Sequence, residues 1–445
     1  MIKKTFRHGV HPASHKSMTE GRLIERLPVP DEVVLPLSQH LGAPSKPIVS
    51  VGDKVYRGQM IAEAGGFVSV PLHASVTGRV KAVEKRHHPS GRLIDAIVIA
   101  TDPHSPQTLY DGGPREWEHL RVEELLATIQ HGGFVGQGGA AFPTHVKLAV
   151  PEGKRVQFFL VNGCECEPYL TSDHRIMLEY ADSLLLGIRI IHKLLGAEKT
   201  VIGVETNKWD AIEALRGRIP GDMSCEIIPL ETKYPQGAEK MLVTAVLKRE
   251  IPSGKLPIDA QVLIQNVGTV TGIGDYFAWG QPLIERVVTV TGPGVRKPAT
   301  LLIPVGTKLS DVLDYCGGLH EDARQILFGG PMMGSPQQNL EVPVMKGTSG
   351  ILCLTAAEVK PRREYPCISC SSCLDACPVF LNPSRLGMLA RVGRYGDMLD
   401  LNIMDCMECG SCSYVCPSNI PLVQRFRVAK GMLREEQARQ KATAQ

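Results

Sequence analysis

No stretch of this sequence approaches the roughly 18 uninterrupted apolar residues that a membrane-spanning helix needs. The most apolar piece, SLLLGIRIIHKLLG at 183–196, is broken by Arg189 and Lys193 and reads as a buried amphipathic helix. The opening residues, MIKKTFRHGVHPASHK, carry charge with no apolar run behind it, so no secretory signal is expected. Such a chain is soluble, or peripheral on a membrane. Strong charge of one sign is also missing: 49 Lys and Arg face 46 Asp and Glu, which supplies no field for nucleic acid or acidic substrates. The basic run Arg425, Arg427, Lys430 and Arg434 reads as a solvated helix face. At 445 residues the chain has room for two to four domains with cores of their own.

Cysteine is present in quantity. Eight of the 13 fall between Cys367 and Cys416. Without a secretory signal they are poor disulfide candidates, because reducing compartments keep thiols free. Clustered thiolates then point to metal. The first run is Cys367-x-x-Cys370-x-x-Cys373-x-x-x-Cys377-Pro378, and the second is Cys406-x-x-Cys409-x-x-Cys412-x-x-x-Cys416-Pro417. Both match the bacterial two-cluster ferredoxin spacing, in which the fourth cysteine ligates the other cluster. Cys367, Cys370, Cys373 and Cys416 are expected around one [4Fe–4S] cluster, and Cys406, Cys409, Cys412 and Cys377 around the other. Zinc would leave the third closely spaced cysteine of each run unexplained. The apolar residues between the runs are expected to pack the module. Cys225, Cys316 and Cys353 read as buried thiols, and Cys164 with Cys166 are too few for a third cubane.

Residues 132–147, GGFVGQGGAAFPTHVK, form a glycine-rich segment. Gly136, Gly138 and Gly139 would let the backbone approach a flat or anionic ligand, although such loops are often simply turns. No Lys-Ser/Thr follows, so it is not a Walker loop. Strand-like runs at 156–163, 200–205 and 262–269 follow, ending in polar groups such as Glu165 and Glu167. In α/β sheets ligands bind at such strand ends.

GQGGAAFPTHVK, NGCECEP, YPQGAEK and QNVGT in this order resemble the NADH-oxidising flavoprotein subunit of respiratory complex I. A fuller resemblance is to the C-subunit family of Rnf electron-transport complexes, ferredoxin:NAD oxidoreductases. It is carried by FRHGVHP, PLSQHLGAP, VGDKVYRGQ, HASVTGRV, DHRIMLEY, YPQGAEK, FGGPMMG and the paired cysteine runs. The resemblance implies non-covalent FMN over the glycine loop, with NAD(H) as substrate on its exposed face. By position, Gly136, Gly138 and Gly139 would lie along the flavin and Lys147 near its phosphate. Asn162, Glu165, Tyr234, Gly237 and Asn266 would contact the flavin, while Phe142, Glu167 and Glu239 would face the nicotinamide nucleotide. Cys164, Ala238 and Gln265 depart from the complex I pattern.

Four domains and a tail are expected: 1–110 a lipoyl-like barrel sandwich, 111–280 a Rossmann-like FMN/NADH domain, 281–355 a soluble-ligand-binding β-grasp domain, 356–430 an α-helical ferredoxin domain, and 431–445 a tail. The sandwich lacks the carrier lysine at its hairpin, EAGGFVS (63–69), so it reads as a scaffold. His73, His87 and His88 read as surface residues. The expected activity is hydride exchange between NAD(H) and FMN, with single electrons passing through two [4Fe–4S] clusters. No catalytic acid or base is nominated, because the chemistry is the cofactors'. Expected partners are ferredoxin and the other subunits of an ion-translocating complex on the cytoplasmic side of the cell membrane. A cobalamin-reductase-like enzyme and a flavin-free electron relay are the alternatives.

Overall fold

The computed structural model describes residues 4–443. Short alternating segments near the N-terminus build two facing antiparallel sheets. Strands Glu32–Pro36, Leu93–Thr101, Gly78–His87 and Lys54–Val55 lie side by side in that order, opposite Lys46–Pro47, Met60–Glu63 and Leu72–His73. Their inward side chains, including Val33, Leu35, Ile61, Leu72, Val80 and Ile97, form one buried cluster. The sandwich begins later than residue 1. Strand Ile24–Arg26 instead adds in parallel to Ala299–Pro304, at the edge of the β-grasp sheet. The hairpin histidine His73 is not at the surface: it is 3% exposed, where the sandwich meets the glycine segment.

The middle unit is an all-parallel sheet in the order Cys225–Leu230, Lys199–Glu205, Phe158–Gly163, Val262–Asn266. Near-continuous apolar runs in these strands fit a sheet covered on both faces. Helices Ala181–Leu195 and Val267–Trp279 pack tightly together on one face. A Cβ on Gly274 would meet the Ser183 carbonyl at 1.9 Å, so glycine alone permits this approach. The run read as a strand over 262–269 ends earlier, because Asn266 caps the second of these helices through Gly268 N–H at 2.8 Å.

The β-grasp unit is a six-stranded sheet built on Glu285–Thr291, Ala299–Pro304, Ala323–Phe328 and Gly350–Thr355, with helix Leu309–Tyr315 against it. Cys316 and Cys353 are buried in its core, whereas Cys225 in the middle unit is only half buried. The cysteine-rich unit is helical. Pro383–Arg391, capped by Asn382, packs with Leu422–Thr443 around Leu386, Leu389, Met398, Ile403 and Phe426. That last helix runs without a break through residues read as a separate tail. No helix among the described residues is long and apolar enough to cross a membrane.

Candidate functional site

Parallel pairing sets Asn162 directly opposite Asn266 at the C-terminal edge of the middle sheet. Asn162 Nδ2 donates to the Gly237 carbonyl at 2.8 Å, and Asn266 Nδ2 donates to Asp173 Oδ2 at 2.7 Å. The glycine loop folds over this edge. A Cβ on Gly138 would lie 2.9 Å from Asn266 Nδ2, whereas one on Gly139 would meet nothing. Gly138 and Gly139 are exposed, and Phe142 is half-buried with its carbonyl accepting from Gly136 N–H at 2.9 Å. Lys147, in the short helix after the loop, pairs with Glu239 at the start of helix Glu239–Leu247. Eight of the expected residues therefore meet at one strand-end crevice: Gly136, Gly138, Gly139, Lys147, Asn162, Gly237, Glu239 and Asn266.

Two buried amides adjoin these residues in the chain. Gln236 is wholly buried with both amide atoms unpartnered among the described residues, and Gln265 Nε2 is in the same state. Buried polar groups left unpaired are costly, so water or a bound polar group is called for to complete them. Beneath the loop, Gln137 N–H donates to Thr269 Oγ1 at 3.0 Å, and its side chain accepts from the buried Arg286. Burial lowers Arg286 to about 10, and burial raises Asp173, with Glu165 adding to the effect. Asp173, Gln137 and Arg286 escaped the sequence reading. Two left a trace, Gln137 as the second residue of GQGGAAFPTHVK and Asp173 as the first of DHRIMLEY.

The two glutamates of NGCECEP turn in different directions. Glu165 adopts φ +45° and its carboxylate accepts from Ser172 Oγ, Asp173 N–H and His174 N–H at 3.0, 2.7 and 3.2 Å. It therefore neutralises the start of helix Ser172–Glu179. Glu167 accepts from Met332 and Met333 N–H at 3.0 and 2.8 Å, tying FGGPMMG to the sheet edge. Burial lifts the Glu167 carboxyl to about 7 despite these donors. An acid whose folded pKa lies above its unfolded value contributes stability below the unfolded value of 4.5, and loses it as pH rises through 7. Glu167→Gln is expected to flatten the decline in thermal stability over that window, read from melting curves at several pH values. Asp173 titrates in the same direction, so part of the decline will remain.

In the helical unit, Cys367, Cys370, Cys373 and Cys416 line one cavity of about 240 Å³. Cys377, Cys406, Cys409 and Cys412 line a second, smaller one. Each cavity thus takes three sulfurs from one run and the fourth from the other. Soft thiolates in sets of four around a space suit an iron–sulfur cubane. The first cavity lies outward, with Cys367 and Cys370 exposed; the second is buried against the middle unit.

Contacts from outside the cysteine runs gather on the buried cavity. Tyr234, 1% exposed, donates its hydroxyl to the Cys409 carbonyl at 2.7 Å. Its ring packs with Val10, Ala376 and Cys166. Lys430 Nζ donates to the Cys406 carbonyl at 2.8 Å and pairs with Glu408 at 2.7 Å. The basic run is therefore only partly a solvated face, with Arg427 and Arg434 exposed. Lys430 is buried, and Arg425 and Arg427 pair with Glu364 and Glu408, partners that no local pattern marks.

Comparison with known proteins agrees with this layout. Residues 4–104 match the RnfC barrel sandwich hybrid domain, 129–275 the Nuo51 FMN-binding domain, 287–336 the SLBB domain and 365–420 the 4Fe-4S dicluster domain. The C subunit of the proton-translocating ferredoxin:NAD(+) oxidoreductase complex of Clostridium ljungdahlii is 46% identical, covering 99% of this chain and 96% of its own. Its counterpart in the Na(+)-translocating complex of Acetobacterium woodii is 44% identical, covering 96% of each. Among solved structures, an NAD+-reducing [NiFe]-hydrogenase in the H2-reduced state shares the fold (TM-score 0.50, 18% identity, 69% of this chain and 62% of that one). With an FMN-binding domain, a two-cluster domain and relatives matched end to end, the chain belongs to the RnfC family, the C subunits of ion-translocating ferredoxin:NAD(+) oxidoreductase complexes.

Proposed function

We propose that this chain is the NAD(H)-reacting peripheral subunit of a membrane ion-translocating ferredoxin:NAD oxidoreductase, sitting on the cytoplasmic side. The carrying observation is the hydrogen bond from Tyr234, within the flavin-type motif YPQGAEK, to the carbonyl of Cys409 in the second cysteine run. It ties the segment that carries Gly237 and Glu239 to the buried sulfur cavity. Bound FMN supplies the exchange between a hydride's electron pair and the single electrons that cubanes carry.

The residues divide that work. Gly136, Gly138 and Gly139 offer backbone to the flavin, Asn162, Gly237 and Asn266 fix its polar edge, and Lys147 neutralises its phosphate. Phe142 and Glu239 border the open side, where the nicotinamide nucleotide would enter. Glu165 and Glu167 serve by holding the NGCECEP loop, Glu165 from the helix side and Glu167 from FGGPMMG. Cys377, Cys406, Cys409 and Cys412 hold the inner cluster, next to the flavin. Cys367, Cys370, Cys373 and Cys416 hold the outer one, whose exposed thiolates face the exchange partner, ferredoxin or a ferredoxin-like subunit. Units 111–280 and 356–430 carry the redox groups, framed by 1–110 and 281–355, and the last helix continues past 430 to Thr443.

Anaerobic purification with iron, sulfide and flavin counted per chain tests this reading. About eight irons and one FMN are expected, with the flavin absorbance bleached by NADH. A fully iron-loaded chain that binds no flavin and ignores NADH would be a relay, and the nucleotide assignments would fall.

A further inference from the structure

Residues 6–16, FRHGVHPASHK, belong to no sheet of the barrel sandwich. They run as a strap through the seam between the flavin sheet and the cluster unit. Just before the strap, Lys4 continues the flavin sheet beside Leu230, and Glu231 N–H donates to its carbonyl at 3.0 Å. Lys233 Nζ then bonds the Phe6 carbonyl at 3.0 Å. Val10 and Tyr234 exchange backbone hydrogen bonds of 2.8 and 2.9 Å. On the other side, Gly9 N–H donates to the Ala376 carbonyl at 3.3 Å, the residue before Cys377. His8 contacts the Leu374 carbonyl at 3.2 Å and sets its ring edge-on to Phe380 at 4.6 Å.

The far end grips the flavin-side loop. Tyr169 N–H donates to the Ser14 carbonyl at 2.8 Å, and the His15 ring stacks on Tyr169 at 4.7 Å. Lys16, 4% exposed, turns its ammonium onto the carbonyls of Glu165, Glu167 and Leu170. One short segment thus touches both arms of the inner cavity's support: the Ala376–Cys377 turn directly, and Cys409 through Tyr234. It also holds the loop that carries Glu165 and Glu167.

The closest approach is at Gly9. Its φ is +82°, and a Cβ there would stand 2.7 Å from the Tyr234 carbonyl and 3.0 Å from the Phe6 ring. Any side chain would push Tyr234 and the strap apart, and with them the seam between flavin loops and inner cluster.

We infer that the strap is the spacer that fixes the inner cluster against the flavin loops, with Gly9 as its positioning residue. The inference rests on the proposed function for what crosses the seam, but its geometry is independent of it. The test uses the full chain, loaded with flavin and iron under anaerobic conditions, as wild type, Gly9→Ala and His8→Ala. Three readouts separate the possibilities. NADH-dependent reduction of ferricyanide reports the flavin alone, and the rate of cluster bleaching after NADH reports passage across the seam. The electron paramagnetic resonance (EPR) spectrum of dithionite-reduced protein reports each cluster without any need for flavin.

Gly9→Ala is expected to slow cluster bleaching by about 10- to 100-fold, the order of loss that a displacement of about an ångström causes in a positioned reaction. Ferricyanide reduction and iron content should stay at the wild-type level. The inner-cluster signal should shift while the outer one does not. His8→Ala, at a half-buried site, should give the same pattern more weakly, and it decides the matter if Gly9→Ala fails to fold. Unchanged bleaching and EPR in both variants would overturn the inference, as would a parallel fall in ferricyanide and bleaching rates. Should wild-type protein bind no flavin, the functional reading fails, and the EPR comparison alone still decides whether the strap positions the inner cluster.

Discussion

Cys377→Ser will remove the inner cluster and leave the outer one, although Cys377 belongs to the first run in sequence. Iron should fall from about eight to about four per chain. The residual EPR signal should be the one lost in Cys416→Ser, not the one lost in Cys409→Ser. If each run instead held its own cluster, Cys377→Ser would resemble Cys370→Ser. The expectation follows from the cavity walls, where Cys377 stands with Cys406, Cys409 and Cys412 and apart from its own run. The functional effect should be close to complete: NADH would still bleach the flavin, but its electrons would lose the cavity that Tyr234 touches. Cys416→Ser should spare reduction of the inner cluster by NADH and abolish onward transfer. Iron analysis, EPR and stopped-flow reduction of the same preparations check the pair.

The second large effect concerns an ion pair sealed beneath NGCECEP. Lys208 and Glu205 are each 1% exposed, and Nζ lies 3.0 Å from the carboxylate. Lys208 also donates to the Cys164 carbonyl at 2.6 Å, and Glu205 accepts from Lys233 N–H at 3.1 Å. Glu205 and other neighbouring acidic groups outweigh the cost of burying the lysine and hold its pKa above the ordinary value. Removing one partner of such a pair strands the other charge, at a cost of about 3–5 kcal/mol. Lys208→Met should therefore destabilise the flavin unit by that order in denaturant melts and weaken flavin retention, because the Cys164 turn loses its anchor. Adding Glu205→Gln should recover much of the stability, since no buried charge then remains. A loss under about 1 kcal/mol for the single variant would show that the pair is far better solvated than its burial implies.

Local spacing alone made the metal-binding unit legible. Three cysteines at fixed short intervals and a fourth followed by proline constrain a ligand set whatever surrounds them, and both cavities contain the expected four. The central strands were legible for a related reason. Buried parallel strands such as 158–163 and 199–205 are short apolar runs ending in polar residues. What stayed hidden depends on partners far along the chain. Tyr234 read as a flavin contact, and only the fold brings its hydroxyl to Cys409. Lys430 looked like one charge on a wet helix face until the helix turned it toward Cys406. His73 looked like a surface residue because its hairpin reads as a sandwich edge, and that edge is covered by another unit. Lys16 and Arg286 are buried cations whose acceptors, the carbonyls of Glu165, Glu167 and Leu170 and the side chain of Gln137, lie far along the chain, and nothing in their immediate sequence marks them.

The strap bears on how the chain is made. His8 and Leu374 touch across 366 residues of sequence, so the strap waits for a partner that is made much later. Domains generally fold as they emerge, and the sandwich and flavin sheet are free to do so. The seam can close only after translation has passed the second cysteine run. Until then residues 6–16 have one of their two walls, and the inner sulfur cavity lacks its outer support. Iron loading of the inner site is therefore expected only after both cysteine runs have been made, coupled to docking of the strap. Nascent chains stalled before Cys406 should show protease cleavage near Gly9 that the finished protein resists.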